Sequence, residues 1–581
     1  MRDAEHRGAG GRSAPFGRAN DYRIDAVASL RVKTNMLYYG DNLDILRRYL
    51  PDASVDLVYL DPPFNSNRAF NVIFKDESGE NTDAQLVAFE DTWHWGPAAE
   101  QAYAYLTNTA LHGGRVPDQV GVTVAALRSS IRENQMLAYL VEMAIRLVEL
   151  HRVLSPYGSL YLHCDPTASH YLKVILDAVF GPKNFRTEIV WKRSSAHSDT
   201  KQGRKQHGRI HDVILFYTKG DQSAWNPVYG KYDPEYVEQF YKYVEPETGR
   251  RYRLGDLTGP GGAAKGNPSY EVMGVTRYWR YSRERMDELI REGRVVQQSP
   301  DAVPAYKRYL DEMPGVSLQD VWTDIPPIGA QARERLGYPT QKPLALLERI
   351  IASSSSPGDI VLDPFCGCGT ALVAAQKLGR RWVGIDITYL SIAVMRARLR
   401  DSFGLEDVEI IGQPTEVEGA RRLAQSPEGR YQFQWWVLGL IDAKPVGGVE
   451  KKGADRGVDG VISFTDRNGR LERVLVGVKS GHVNAGMVQQ LRGALEDEKA
   501  AIGIFVTLEE PTGPMKREAA VAGVFHSELW NRDYARLQIL TVRELVEERK
   551  RPDLPPFVLP TFQQAPKVEE PKSVAQKKLF A

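Results

Sequence analysis

Ile360-Val361-Leu362-Asp363-Pro364-Phe365-Cys366-Gly367-Cys368-Gly369-Thr370 is the stretch on which the fold turns. Three apolar residues and an acid read as a buried strand. The glycines after it let the backbone turn sharply and approach a ligand with no Cβ in the way. Ala371 to Leu378 reads as a helix, and Trp382-Val383-Gly384-Ile385-Asp386 as the next strand. Asp386 falls 23 residues after Asp363, where a carboxylate of a βαβ unit typically bonds ribose hydroxyls. A glycine loop alone is also just a tight strand–helix turn. Strand, loop, helix, strand and acid in register favour a nucleoside site. Pro364 and the short Phe365-Cys366-Gly367-Cys368-Gly369 loop differ from the longer three-glycine pattern of dinucleotide enzymes. Cys366 and Cys368 lack the two-residue spacing and the second pair of a metal site, so they read as small loop residues.

About three hundred residues earlier, Val55-Asp56-Leu57-Val58-Tyr59-Leu60 reads as another buried strand, running into Asp61-Pro62-Pro63-Phe64. Two prolines offer no N–H and cannot extend a central strand. They leave the Pro62 carbonyl beside the Asp61 carboxylate, an acceptor pair matched to the two hydrogens of an amino group. Phe64 offers a ring on which a flipped base could stack. A plain strand-end turn is the alternative for this tetrapeptide taken alone.

The 581 residues exceed what one core usually organises. The 75 Lys+Arg balance 74 Asp+Glu for a net charge of +1, which leaves a nucleic-acid partner open because clustering decides. Three cysteines, a start (Met1 to Phe16) without the apolar core of a signal peptide, and no bilayer-length apolar run make a cytoplasmic, non-membrane protein the expectation. Apolar positions from Met136 to Val148 recur at helical spacing, with Glu142, Arg146 and Glu149 on the other face. Ser159 to His163, Ile189-Val190-Trp191 and Val213 to Tyr217 read as strands. Residues 90–122 read as an inserted surface segment.

Together these motifs resemble the β-class DNA amino-methyltransferases, in which the catalytic tetrapeptide precedes the cofactor segment. Asp61-Pro62-Pro63-Phe64 matches the catalytic motif, Asp363 through Gly369 the methionine-moiety loop, and Tyr338-Pro339-Thr340-Gln341-Lys342-Pro343 the segment beside it. Gly40-Asp41-Asn42-Leu43 and Leu162-His163-Cys164-Asp165-Pro166 also look like family segments. The resemblance spans roughly residues 35–400. It implies a Rossmann-like α/β methyltransferase sheet with permuted motif order. S-adenosylmethionine would be held by Asp363, Phe365, Gly367, Gly369, Thr370 and Lys342, with Asp386 on the ribose and Asp41 towards the adenine. Asp first in the tetrapeptide points to adenine N6, and cytosine N4 is the alternative. Direct in-line methyl transfer without a covalent intermediate is expected.

Between the two halves, rings and charges interleave through Arg250-Arg251-Tyr252-Arg253 and Arg277-Tyr278-Trp279-Arg280-Tyr281. Arginine can contact phosphate or guanine and aromatic residues can stack on unpaired bases, so Arg251, Arg253, Arg277, Trp279 and Arg280 are candidate contacts to double-stranded DNA. Beyond residue 413, Gly457-Val458-Asp459-Gly460 and the strand ending at Lys479 resemble an Mrr-type restriction-endonuclease domain. Asp459 and Lys479 would then stand where a nuclease core holds Mg²⁺ and an attacking water. Gly477 occupies a position that usually carries an acid or amide, so cleavage and a catalytically dead DNA-binding relative stay open together.

The expected order is a flexible tail (1–30), a catalytic half (31–220), a target-recognition region (221–325), a cofactor half (326–412), an endonuclease-like domain (413–562) and a flexible tail (563–581). A site-specific methyltransferase of a restriction–modification system follows, with a homodimer or restriction–modification partners as its protein assemblies. A DNA binder without activity and a methyltransferase of protein or RNA are the competing readings.

Overall fold

The computed structural model describes residues 32–63, 69–75, 81–90, 93–194, 205, 207–338, 340–425, 427–446, 457–466, 469–556, 558–560 and 562–568, with 69–75 and 81–90 as backbone only. Phe64, Pro339 and the expected tail 1–30 lie outside them. Two compact units emerge: residues 226–319 form one, and the chain on either side of that segment forms the other.

A nine-stranded sheet organises the larger unit. In chain order its strands are β1 (Met36–Tyr39), β2 (Val55–Leu60), β3 (Leu154–Cys164), β4 (Phe185–Lys192), β5 (His211–Thr218), β6 (Val321–Trp322), β7 (Ile360–Asp363), β8 (Arg381–Asp386) and β9 (Ile410–Ile411). Across the sheet they run β6-β4-β5-β3-β2-β7-β8-β1-β9. Only β5 is antiparallel to its neighbours, β3 and β4. Helices cover the sheet, so central strands such as β2 and β7 are apolar almost throughout, as parallel strands buried on both faces must be. From β2 the chain goes on to β3 on one side, whereas from β7 it goes to β8 on the other. The β2–β7 pair, with Leu57 opposite Val361 and Val58 opposite Leu362, is where the order reverses. Crevices for ligands form outside the carboxyl ends of such strands.

The helix Gln135–Val153 has a buried apolar stripe, but its charged face is not turned to solvent: Arg146 and Glu149 are buried too. Both are ion-paired, Glu149 to Arg47 and Arg152 and Arg146 to Asp41 and Glu142, which is what makes burying them tolerable. The segment expected as a surface insert is instead helical. Pro97–Thr107 and Asp118–Ile131 put Leu106, Val120 and Val124 into the main core. A sparse one-sided stripe is easily masked by a polar average.

Residues 413–562 do not stand apart from the methyltransferase halves. The helix Pro427–Leu440 presents Phe433, Trp436 and Val437 to a core that also holds Tyr389, Leu390 and Val394 of the helix Tyr389–Phe403. The same core contains Ile462 and Val474 of a five-stranded sheet, whose strands Lys444–Pro445, Gly460–Thr465, Leu471–Lys479, Ile502–Thr507 and Leu537–Thr541 pair in that order. Part of the expected loose end is tied back: Ala565 N–H donates to Asp401 at 3.3 Å and Val568 N–H to the Ser402 carbonyl at 3.1 Å.

The smaller unit has its own four-stranded antiparallel sheet, ordered Val295–Val296, Ala305–Tyr309, Arg251–Asp256 and Tyr243–Val244. It also carries the hairpin Ser269–Val272/Val275–Tyr278 and the helix Arg283–Arg291 around Leu257, Val272, Trp279 and Met286. Among the described residues no helix is long and apolar enough to cross a membrane.

Candidate active site

Asp363 is the last residue of β7, and Asp61 is the first after its neighbour β2. Two motifs three hundred residues apart therefore open into one cavity of about 400 Å³, within the range of small-molecule sites. Asp61, Pro62 and Pro63 line it, and so do Asp363, Phe365, Gly367 and Thr370. Asp41, Lys342 and Asp386 complete the set. Of the residues assigned to the cofactor, Gly369 alone stands back, at a φ of 74° as the cap of the helix Thr370–Lys377.

The glycine loop is cut to its surroundings. Gly367 has a φ of 50°, and a Cβ there would lie 3.2 Å from the Tyr338 ring. Asp386 braces the loop, accepting the Gly367 N–H at 2.9 Å through one oxygen and the Thr388 N–H at 2.9 Å through the other. Burial pushes its carboxyl up while those donors oppose the shift. Asp363 is pushed well above the usual carboxylate range, first by burial and then by the charges of Asp61 and Asp386, against a hydrogen bond from Phe365 N–H at 3.1 Å. A cavity rimmed by carboxyls, with backbone free of a side chain at Gly367, suits a cationic nucleoside such as S-adenosylmethionine.

Asp41 caps the helix Asn42–Tyr49 by accepting from Leu43 N–H at 2.7 Å, and its other oxygen accepts from Arg146 at 2.7 Å. Arg146 also donates to the Asn42 side chain at 2.7 Å, and Asn42 donates to the Pro364 carbonyl at 2.9 Å. Arg146 and Asn42 had no role in the sequence reading. Asn42 lies inside a quoted family segment, but nothing local marks Arg146.

Asp61 makes an ion pair with Lys342 through Oδ2. Among the described residues neither its Oδ1 nor the Pro62 carbonyl receives a hydrogen bond. Beneath them, Tyr59 hydroxyl and His163 Nδ1 lie 3.0 Å apart, and His163 Nε2 lies 3.2 Å from Asp212, which Arg193 meets at 3.0 Å. Burial pushes the Tyr59 phenol well up, so it stays neutral. Asp212 would be raised by burial, but the hydrogen bond and charge of His163 hold it below its ordinary range.

In the smaller unit, Arg251 and Arg277 are exposed. Arg253 donates to the Tyr236 hydroxyl at 3.2 Å, and Arg280 to the Thr258 carbonyl at 2.8 Å. Trp279 does not fit its expected place at DNA: it is fully buried and donates its indole N–H to the Tyr270 carbonyl at 2.7 Å. An amphipathic ring next to a hairpin gains more by filling that small core than by facing water.

In the carboxy-terminal sheet Asp459 and Lys479 do meet, at 3.2 Å. The same carboxylate also accepts Val478 N–H at 2.6 Å and the Gln434 amide at 2.9 Å. At Gly477 a Cβ would sit 2.8 Å from the Gly457 carbonyl oxygen, so backbone fills the space a further ligand would need. Among the described residues no three His, Cys, Asp or Glu side chains are grouped to hold a metal. This donor set does not fit Mg²⁺.

Comparison with known proteins accords with both parts. The family described as "NACHT-associated inactive Restriction Endonuclease 1" matches residues 446–547, which supports the restriction-endonuclease relationship expected there but not the Mrr type. Type II methyltransferase M.EcaI of Enterobacter cloacae is 32% identical over 252 residues, 43% of this chain and 54% of that protein, so the chain spans about half of that relative. DNA adenine methyltransferase YhdJ of Escherichia coli is 24% identical over 64% of this chain and 85% of that one. A putative DNA modification methylase of Thermus thermophilus, solved in complex with S-adenosyl-L-methionine, covers 64% of this chain and 97% of its own at 17% identity and a TM-score of 0.31. The N6/N4 family described as "DNA methylase" matches residues 55–394, more than half of the sequence. This chain belongs to the N6/N4 DNA methylase family.

Proposed function

We propose that the chain transfers a methyl group from S-adenosylmethionine to an exocyclic amino nitrogen in double-stranded DNA, adenine N6 ahead of cytosine N4. The observation that carries this reading is the shared cavity: the Asp61-Pro62 acceptor pair and the glycine loop open side by side from adjacent parallel strands. When bound, S-adenosylmethionine supplies an electrophilic methyl group. Asp61 Oδ1 and the Pro62 carbonyl accept the two amino hydrogens, which draws the nitrogen lone pair out of conjugation and towards that methyl. Alignment and electrostatic polarisation do the catalysis. Asp386, which holds the loop, would orient the ribose, and Asp363 would border the methionine moiety. The target base must leave the helix, because its amino group is otherwise paired and stacked.

Adenine is favoured by Asp at the head of the tetrapeptide and by the likeness to a relative named as an adenine enzyme. The arginine-bearing residues 226–319 are the proposed target-recognition region, with Arg251 and Arg277 among its exposed cations. The carboxy-terminal sheet is proposed as a restriction-endonuclease relative that binds without cutting, within a restriction–modification system. Incubation with S-adenosylmethionine and unmethylated genomic DNA, then digestion to nucleosides and mass spectrometry, tests the reading. N6-methyladenine is expected. N4-methylcytosine would reassign the base, and no methylated nucleoside would refute the activity.

A further inference from the structure

Lys342 touches the machinery in an unexpected place. Resemblance assigns it to the cofactor, yet its ammonium is ion-paired with Asp61 Oδ2, both side chains being largely buried at 12% and 15% exposure. The segment carrying it is anchored independently of that pair. Gln341 accepts from Leu336 N–H at 2.8 Å and donates to the Glu334 carbonyl at 2.5 Å, while Leu344 N–H donates to the Glu334 carboxylate at 3.1 Å. Pro343 then starts the helix Leu344–Ser354. Lys342 thus projects from a fixed stem.

The charges around Asp61 explain what such a cation does. Asp363 closes the neighbouring strand β7, Asp386 acts on Asp363 from β8, and Asp212 on β5 feels Lys342. Tyr59 on β2 and Cys164 at the end of β3 face Asp61 as neutral groups, since burial pushes both well up. The Lys342 ammonium on Oδ2 fixes which way the Asp61 carboxylate faces among these carboxyls. A carboxylate bound at one oxygen still offers the other as an acceptor. An ammonium would also repel a sulfonium, so it is better spent on Asp61 than on the cofactor's reacting end.

We infer that Lys342 is a positioning residue for methyl transfer, pinning Asp61 by Oδ2 so that Oδ1, beside the Pro62 carbonyl, stays turned towards the incoming amino group. This role rests on the amino-methyltransferase reading. One ammonium N–H on Oδ2 leaves Oδ1 open to the incoming amino group. The pair must therefore act on turnover more than on binding.

The test compares the full chain with Lys342→Met, Lys342→Gln and Lys342→Arg in steady-state transfer to DNA, alongside direct titration of S-adenosylmethionine and thermal unfolding. Both neutral variants are expected to lose at least tenfold in kcat, with the dissociation constant of S-adenosylmethionine and KM for DNA within threefold of wild type. Lys342→Arg is expected to recover a large part of kcat. Weakened cofactor binding with kcat intact at saturation would overturn the proposal and return Lys342 to the cofactor. Failure of Lys342→Arg to rescue, together with a lowered unfolding temperature in all three, would also overturn it in favour of a purely structural role. If the wild-type chain transfers nothing, the functional reading fails first, and the two failures are distinguishable.

Discussion

Asn42, the first residue of a helix near the amino end, donates its side-chain amide to the carbonyl of Pro364 in the cofactor loop at 2.9 Å. That bond ties the two halves of a permuted fold at the ligand cavity itself. Its other atom, Oδ1, accepts from buried Arg146. Asn42→Ala would leave a buried guanidinium N–H and a carbonyl unpaired, at about 1–3 kcal/mol. Denaturant unfolding should register that loss, and calorimetric titration should find S-adenosylmethionine bound more weakly. Unchanged affinity would refute the tie as a determinant of the cofactor site.

Asp61→Ala separates chemistry from binding. Transfer of labelled methyl groups should fall by at least about 10²–10³-fold, the usual cost of one preorganised stabilising group, while S-adenosylmethionine binding survives because Asp61 is not part of the glycine loop. Normal turnover with weak binding would invert the assignment.

Restoring the missing acid to the carboxy-terminal sheet should not create a nuclease. Gly477→Glu forces a Cβ to within 2.8 Å of the Gly457 carbonyl, and such overpacking costs about 1–3 kcal/mol. Digestion of plasmid DNA with Mg²⁺ should stay at background for the wild type, Gly477→Glu and Lys479→Ala alike. Cleavage by Gly477→Glu, lost again on adding Lys479→Ala, would show that the site can open.

Trp436 couples the carboxy-terminal part to the methyltransferase. It is buried in a core shared with Tyr389, their ring centroids 6.4 Å apart. Trp436→Ala should cost about 3–5 kcal/mol and lower the temperature at which cofactor binding is lost. Loss confined to the carboxy-terminal sheet would argue for independent folding.

His151 makes stability depend on pH. Burial, followed by the Lys219 charge, lowers its pKa to about 4, against about 6.5 in the unfolded chain. The unfolded chain therefore binds a proton that the folded chain refuses across this window. Stability should decline as pH falls from about 6.5 towards 4, by about 3 kcal/mol at most. Urea unfolding at several pH values should show that slope, and His151→Gln should flatten it.

Much of the central fold was legible because its signals are local. The strands at Val55–Leu60, Ile360–Asp363 and Arg381–Asp386 announce themselves as short apolar runs that end in an acid or run straight into one. The charged face of Gln135–Val153 misled, because periodicity cannot distinguish solvent from a buried partner supplied by a distant residue. Trp279 misled for the opposite reason: its immediate neighbours are basic, but its burial depends on Leu257 and Met286, which lie outside that basic run.

What the amino-acid sequence determined alone was the pair of turns, Asp61-Pro62-Pro63 and Asp363 to Gly369, since proline and glycine set backbone geometry wherever they stand. Tertiary structure decided which turns face each other, because strand pairing is a choice among distant partners. The neighbouring of β2 and β7, the ammonium of Lys342 on Asp61, the Asn42–Arg146 link and the Gly457 backbone over Gly477 all follow from that choice. Each is a contact between residues whose local sequence carries no record of the other.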